Sequence, residues 1–325
     1  MPALYGAIDL GGTKIRSLIA DLDGREYGYD RRTSNTELGL DHVLQRMVES
    51  LAAAAEQAGV RRNELVGVGI DSPGAIDVLR GVVAGAPQLP GWRDVPLVKF
   101  MSDRLDVPVA LENDASAAAL GEHRYGAGKG TRHMLYFTVS TGVGGGIIID
   151  GHLYTGAGGA AGELGHMIID MNAAETCPWC GRGCVESLAS GTAIARRGEA
   201  LAATGRAPEL AAIHNREGEV TSEMMSRAAQ AGDESCGDEF RRAGRYMGIG
   251  LANYVNIFEP EVIVVGGGVS RSGPDFFKAA REAMKAHAIR ALSRSVRLEL
   301  AGLGEKSGLM GMIARMADMA NAPHG

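Results

Sequence analysis

Glycine does not scatter evenly along this chain; it clusters at the ends of apolar strands, and two of the clusters share one local plan. In the first, LYGAIDL runs into Gly11-Gly12-Thr13, then into IRSLIA and the turn DLDG. In the second, MLYFTVS runs into TGVGGG, then into IIID and a turn at Gly151. Each predicts a β-hairpin with a glycine tip. Backbone N–H groups close on an anion most readily where no Cβ intervenes, so such tips point to phosphate. Tight hairpins use glycine pairs for turn geometry alone. The repetition, with a third cluster at Gly266-Gly267-Gly268 after the strand EVIVV, favours nucleotide and predicts two related α/β lobes.

The rest of the chain alternates helices with strands. DHVLQRMVESLAAAAEQAG spaces Val43, Leu44, Met47, Val48 and Leu51 on one helical face, with Asp41 expected as N-cap and Gly59 past the end. LVGVGID reads as a buried strand and ENDASAAALGEHRYG as a helix starting just after Asn113-Asp114. Helices are expected around residues 186–201 and 221–258, and LMGMIARMADMA as an amphipathic helix whose methionines pack in the core. The length of 325 residues suggests two domains. Net charge is −6 with signs interspersed, which gives no reason to expect nucleic acid or membrane as partner. The N-terminus lacks a signal-peptide pattern, and four cysteines are too few for a secreted disulfide scaffold, so a cytoplasmic location is expected.

Which phosphate site is it? YGAGKGT (125–131) fails the P-loop pattern, because Lys129 is followed by Gly130 and position 123 is His. The glycine triplet after EVIVV lacks G-x-G-x-x-G, so a nicotinamide-linked oxidoreductase is disfavoured. The hairpins remain. Asp9 at the end of the first strand offers a carboxylate to a nucleotide-bound Mg²⁺, and Thr13 and the Ser140-Thr141 pair offer hydroxyls. Asp114, at a strand-to-helix junction, is either a general base or the helix N-cap on local sequence alone. Cys177, Cys180 and Cys184 with His166 supply three sulfurs and a nitrogen, a closed structural zinc set. A C-x-x-C redox pair and incidental buried thiols are the competing readings, and Cys236 stands alone.

DLGGTK (9–14), GIDSPGAID (69–77), APQLPGW (86–92), LENDASAAALGE (111–122), STGVGGGI (140–147), GELGHM (162–167), the cysteine segment through VESLASGTA (185–193), and VIVVGGG (262–268) together resemble the ROK family of sugar kinases, and in that family's order. The resemblance implies an actin/hexokinase-like (ribonuclease H-like) α/β fold of two lobes with the active site in the cleft between them. It implies a small lobe over 1–115, completed by a C-terminal helix at about 306–325, and a large lobe over 116–305 carrying the zinc loop. It makes Asp114 the catalytic base. It assigns Gly74, Asn113, Glu163, His166 and Glu186 to the sugar, with His166 bridging sugar and zinc. Nucleotide falls to Asp9, Gly11, Gly12, Thr13 and Lys14, to Thr141, Gly142 and Gly144, and to Gly266, Gly267 and Gly268. One departure stands out: the family pattern C-x-C-G-x-x-G-C-x-E is here C-x-x-C-G-x-G-C-x-E, with Trp179 where the middle cysteine normally stands.

The implied activity is ATP-dependent phosphorylation of a hexose 6-hydroxyl. VESLASGTA and the full sugar set are similar to bacterial glucokinases of this family, which makes glucose the expected substrate. Kinases for fructose, mannose or N-acetylhexosamines share nearly all of these motifs. The family also contains sugar-responsive transcriptional regulators, which carry a helix-turn-helix before the first hairpin. About five residues precede the first strand here, so that reading is disfavoured. The family further implies a homo-oligomer, a dimer or a tetramer.

Overall fold

β1 (Tyr5–Leu10) and β2 (Lys14–Ala20) form the hairpin expected from the first glycine cluster, paired antiparallel from Tyr5–Ala20 to Leu10–Ile15. β3 (Glu26–Thr33), α1 (Leu40–Gln57) and β4 (Val68–Ser72) follow. A small sheet comes next, β5 (Ala75–Asp77), β6 (Val82–Gly85) and β7 (Arg93–Val95), then α2 (Leu97–Leu105), β8 (Val109–Asn113) and α3 (Asp114–Tyr125). The main sheet has the order β3-β2-β1-β4-β8, with β1, β4 and β8 parallel. This computed structural model describes residues 2–321.

The chain divides into two compact units. Unit 1 is Met1–Arg132, Gly146–Gly162 and Ala301–Gly325; unit 2 is His133–Gly145 and Glu163–Leu300. In unit 1 the period of two along β1 sorts its side chains between two cores. Ile8 and Leu10 join Ile15, Ile70 and the apolar face of α1, whereas Tyr5 and Ala7 join Leu18 and the C-terminal helix. α1 buries Val43, Leu44, Met47, Val48 and Leu51 as its periodicity predicts, but Gly39 occupies the N-cap and Asp41 lies inside the first turn. The helix starts at Leu40, two residues earlier than an Asp41 cap requires, so Asp41 is its second residue and serves the helix dipole instead.

In unit 2, β9 (Met134–Val139) turns into β10 (Val143–Ile149), which continues into unit 1 and there pairs with β11 (His152–Leu153). The short hairpin β12 (Thr176–Cys177)–β13 (Gly181–Arg182) precedes α4 (Val185–Ala189) and α5 (Gly191–Ala203). The expected helix over 186–201 is thus two helices, broken at Ser190, whose side chain caps α5 through Ala193 N–H. α6 (Pro208–Glu217), with Pro208 in its first turn, was not anticipated. The expected 221–258 helix is divided at Gly232, φ +111°, into α7 (Ser222–Gln230) and α8 (Glu234–Phe258). β14 (Val262–Gly266), α9 (Pro274–His287), α10 (Arg290–Ser293) and β15 (Arg297–Leu300) complete the unit, with β14 parallel to both β9 and β15. α11 (Ser307–Asn321) returns to unit 1 and buries Met310, Met312 and Met316 in the core, as their spacing predicts, whereas Met319, in the last turns of the helix, is exposed. No helix among the described residues is long and apolar enough to cross a membrane.

Candidate active site

The first glycine turn is built to leave room. Gly11 N–H closes on the Lys14 carbonyl at 2.9 Å, and Ser34 Oγ holds the Gly12 carbonyl at 2.8 Å. A Cβ at Gly12 would lie 2.8 Å from the Gln88 carbonyl oxygen, so only glycine fits there. Thr13 and Lys14 are exposed beyond the turn.

Beside this turn runs a row of charge. Register partners Arg16 (β2), Asp9 (β1), Asp71 (β4) and Glu112 (β8) share one sheet face. Arg16 Nε lies 2.9 Å from Asp9 Oδ2 as an ion pair that lacks hydrogen-bond alignment. Asp71 is 1 % exposed, and its Oδ2 has no hydrogen-bond partner among the described residues. Burial, then the charges of Asp9 and Asp114, hold the Asp71 carboxyl well above the usual carboxylate range. Burial also raises Asp9, against the pull of the Arg16 charge. Asp71 therefore feels the negative charge of both Asp9 and Asp114. Sequence reasoning missed Asp71, because an acid inside an apolar strand gives no local signal; only the strand register brings it beside Asp9.

At the β8–α3 junction the two adjacent polar residues divide the work. Asn113 is the N-cap: its Oδ1 accepts from Ala115 N–H at 3.0 Å and Ser116 N–H at 3.3 Å. Its Nδ2 donates to the Gly74 carbonyl at 3.3 Å, which brings two of the expected sugar-binding positions together. Gly74 has φ +93°, and a Cβ there would collide with the Gly85 carbonyl. Asp114 is the first helical residue, exposed, with Oδ1 2.8 Å from Ala115 N. The capping role that competed with catalysis in the sequence belongs to its neighbour.

In unit 2 the second glycine turn is closed by Ser140 N–H on the Gly142 carbonyl at 2.9 Å. Glu186 Oε2 accepts Val143 N–H at 2.9 Å and occupies the space a Gly142 side chain would need. The carboxylate expected at the sugar is thus engaged with the turn that carries Thr141, Gly142 and Gly144. Gly267, φ +87°, lets the Gly266–Gly268 strand end approach the Val139 backbone more closely than any Cβ permits. The start of α5, to which the sequence assigns no site role, completes this cluster. Gly191 N–H donates to the Ser140 carbonyl at 2.7 Å, and Thr192 Oγ1 donates to the Thr141 carbonyl at 2.8 Å. The signal available for it was the S-G-T triplet of VESLASGTA, a capping serine before a glycine that opens a helix.

Also in unit 2, His166, Cys177, Cys180 and Cys184 converge, with one donor atom from each within 4.8 Å of all the others. His166 Nδ1 lies 3.6 Å from Cys177 Sγ and 3.7 Å from Cys180 Sγ. A tetrahedral zinc with ordinary Zn–N and Zn–S bonds separates nitrogen from sulfur by about 3.6 Å, so the donor set fits. The sulfurs compete for charge. Burial pushes the Cys180 thiol up to about 12, aided by Cys177 and Cys184, while at Cys177 burial is opposed by the N–H groups of Trp179 and Cys180 and by the neighbouring thiols, which together lower it. A divalent cation would relieve that competition. The displaced middle cysteine is absorbed at the hairpin tip, where Cys177 pairs with Gly181, Cys180 turns inward and Trp179 is 73 % exposed. His166 Nε2 faces the exposed Glu163 carboxylate at 3.8 Å, so the ring presents one nitrogen to the sulfurs and the other to a carboxylate.

A protein-family model described as ROK family matches residues 5–318. The glucokinase of Streptomyces coelicolor is 35 % identical over 320 residues, 97 % of each chain. A crystal structure of a ROK family glucokinase from Streptomyces griseus, in complex with glucose and AMPPNP, superposes with a TM-score of 0.82 at 34 % identity, covering 97 % of this chain and 99 % of that one. The xylose repressor of Caldicellulosiruptor bescii is 31 % identical over 323 residues, 97 % of this chain and 79 % of the repressor.

Proposed function

The chain belongs to the ROK family, and from that membership we infer that it is an ATP-dependent hexose kinase that phosphorylates glucose at its 6-hydroxyl. Its α/β fold is the actin/hexokinase-like one implied by its motifs. The observation that carries the kinase reading is the division of labour at the β8–α3 junction. Asn113 caps the helix, and Asp114 is left exposed as its first residue.

The chemistry follows from phosphoryl transfer, in which positioning and charge neutralisation do most of the catalysis. Asp114 would hydrogen-bond the sugar's 6-hydroxyl and take its proton as that oxygen bonds to the γ-phosphorus, with ADP leaving. In unit 1, Asn113 and the Gly74 backbone would orient the sugar ring; in unit 2, Glu163, His166 and Glu186 are the proposed sugar contacts. Gly11, Gly12, Thr13 and Lys14, together with Thr141, Gly142, Gly144 and Gly266–Gly268, would hold the nucleotide. Mg²⁺ bound with the nucleotide would spread the phosphate charge, and Asp9 is the carboxylate proposed to meet its hydration shell. Zinc held by His166, Cys177, Cys180 and Cys184 would fix the hairpin and the His166 ring, without touching the reacting atoms.

Kinase is favoured over regulator because DLGGTK and Asp114 are both present. The test is ADP release from ATP with a panel of glucose, mannose, fructose, N-acetylglucosamine and N-acetylmannosamine. Glucose is expected to have the highest kcat/KM. Turnover of N-acetylmannosamine but not glucose would overturn the substrate, and turnover of none would overturn the kinase.

A further inference from the structure

Glu122 lies in the third turn of α3, fully buried, and its carboxylate gathers four donors. Oε2 accepts the backbone N–H of Ala127 at 3.0 Å and of Gly302 at 2.9 Å. Oε1 accepts the N–H of Leu303 at 2.9 Å and the Ser307 hydroxyl at 2.7 Å. A buried carboxylate loses its hydration and is tolerated only when charge-assisted bonds replace the water.

The positions of the donors are informative. The chain leaves unit 1 for the first time after Arg132 and returns for the last time at Ala301. Ala127 belongs to the loop that precedes the departure, and Gly302 and Leu303 follow directly on the return. One side chain therefore ties both segments to α3. The same helix packs closely on α11, because a Cβ at Gly121 would strike the Ser307 carbonyl and one at Gly311 would strike the Ala117 carbonyl. Asp114 is the first residue of that helix.

We propose that Glu122 is a positioning residue for phosphoryl transfer: it anchors the helix that carries Asp114 to the two chain segments where unit 1 is first left and last re-entered. The inference rests on the reading of Asp114 as the base. Glu122 touches no reacting atom; it acts by holding α3 in register.

Glu122→Gln is isosteric but has only one acceptor oxygen. Whichever way the amide turns, its NH₂ faces a backbone N–H, either Ala127 and Gly302 or Leu303, so half of the clasp must open. Ser307→Ala is milder, removing one donor and leaving the charge and three backbone bonds. The experiment is hydrogen exchange of segments 126–131 and 301–307 in the full chain, beside steady-state kinetics with glucose and ATP and a melting curve. For Glu122→Gln we expect faster exchange in both segments and a kcat lower by about 10- to 100-fold, with glucose KM within about twofold. Ser307→Ala should move both readouts in the same direction by less.

Opened segments with unchanged kcat would overturn the proposal, as would a raised KM at constant kcat, or a kcat loss equal to the unfolded fraction at assay temperature. Should Glu122→Gln fail to fold, Ser307→Ala decides: faster exchange at 301–307 with lowered kcat supports the clasp, and wild-type values for both reject it. A wild-type chain inactive on every hexose would reject the kinase reading alone. Exchange in Glu122→Gln would then judge the clasp, upheld by opening of both segments and rejected by none.

Discussion

Asp71 shows how a single residue can sit against stability. It is buried beside Asp9 with one oxygen unpartnered, and its folded-state pKa is raised by burial and by two like charges. The folded protein thus holds the Asp71 proton more tightly than the unfolded chain does. Its contribution is harmless below the unfolded value near 4 and becomes destabilising as pH rises toward the folded value. Asp71→Asn keeps a donor toward Asp9 and removes the charge. It should raise stability at pH 7, read as a higher melting temperature. That gain should vanish near pH 4. Differential scanning in metal- and nucleotide-free buffer checks this, and an unchanged or lower melting temperature at pH 7 would count against a buried, charge-crowded Asp71. Asp114 was a candidate in the sequence because a strand-to-helix junction is a local pattern, and the family resemblance made it the base; Asp71 could not be found, since its place beside Asp9 depends on β1–β4 register.

Among the elements, the cysteine hairpin makes the clearest claim. β12 and β13 are two residues each, too short to hold a register by hydrogen bonds alone, and Gly183 approaches the Asp170 carbonyl more closely than any side chain allows. A metal is what would make so small a hairpin stiff. Protein purified without chelator should carry about one zinc per chain by elemental analysis, a closed four-ligand site. Cys177→Ser should lose it and melt at lower temperature. Full stability in a zinc-free preparation would reject a structural metal. Convergence of the three cysteines on His166 was foreseeable from donor arithmetic, whereas the tolerance of the shifted middle cysteine was not, since it depends on the hairpin tip turning Cys180 inward and Trp179 outward. The helices tell a similar story. Apolar spacing located α1 and α11, but Ser190 and Gly232 break expected single helices through capping and positive φ, and α6 carries only Leu210 and Ile213 as buried apolar residues, too few for a clear period.

For the whole molecule, fold class was legible because glycine-tipped hairpins and alternating strands and helices are patterns within a few dozen residues. Less visible were the contacts that position the chemistry: the charge row from Arg16 to Glu112, the Gly74–Asn113 bond, and the Glu122 clasp. Each joins residues far apart in sequence, and none leaves a local trace. The central claim is that this chain makes glucose 6-phosphate from ATP with Asp114 as the base. Its most direct measurement sets Asp114→Asn beside wild type, following product formation and, by calorimetry, glucose binding. The account predicts that turnover falls by at least about 10³-fold, since the amide cannot accept the hydroxyl proton, while glucose affinity stays within about threefold. Turnover near the wild-type rate would contradict it.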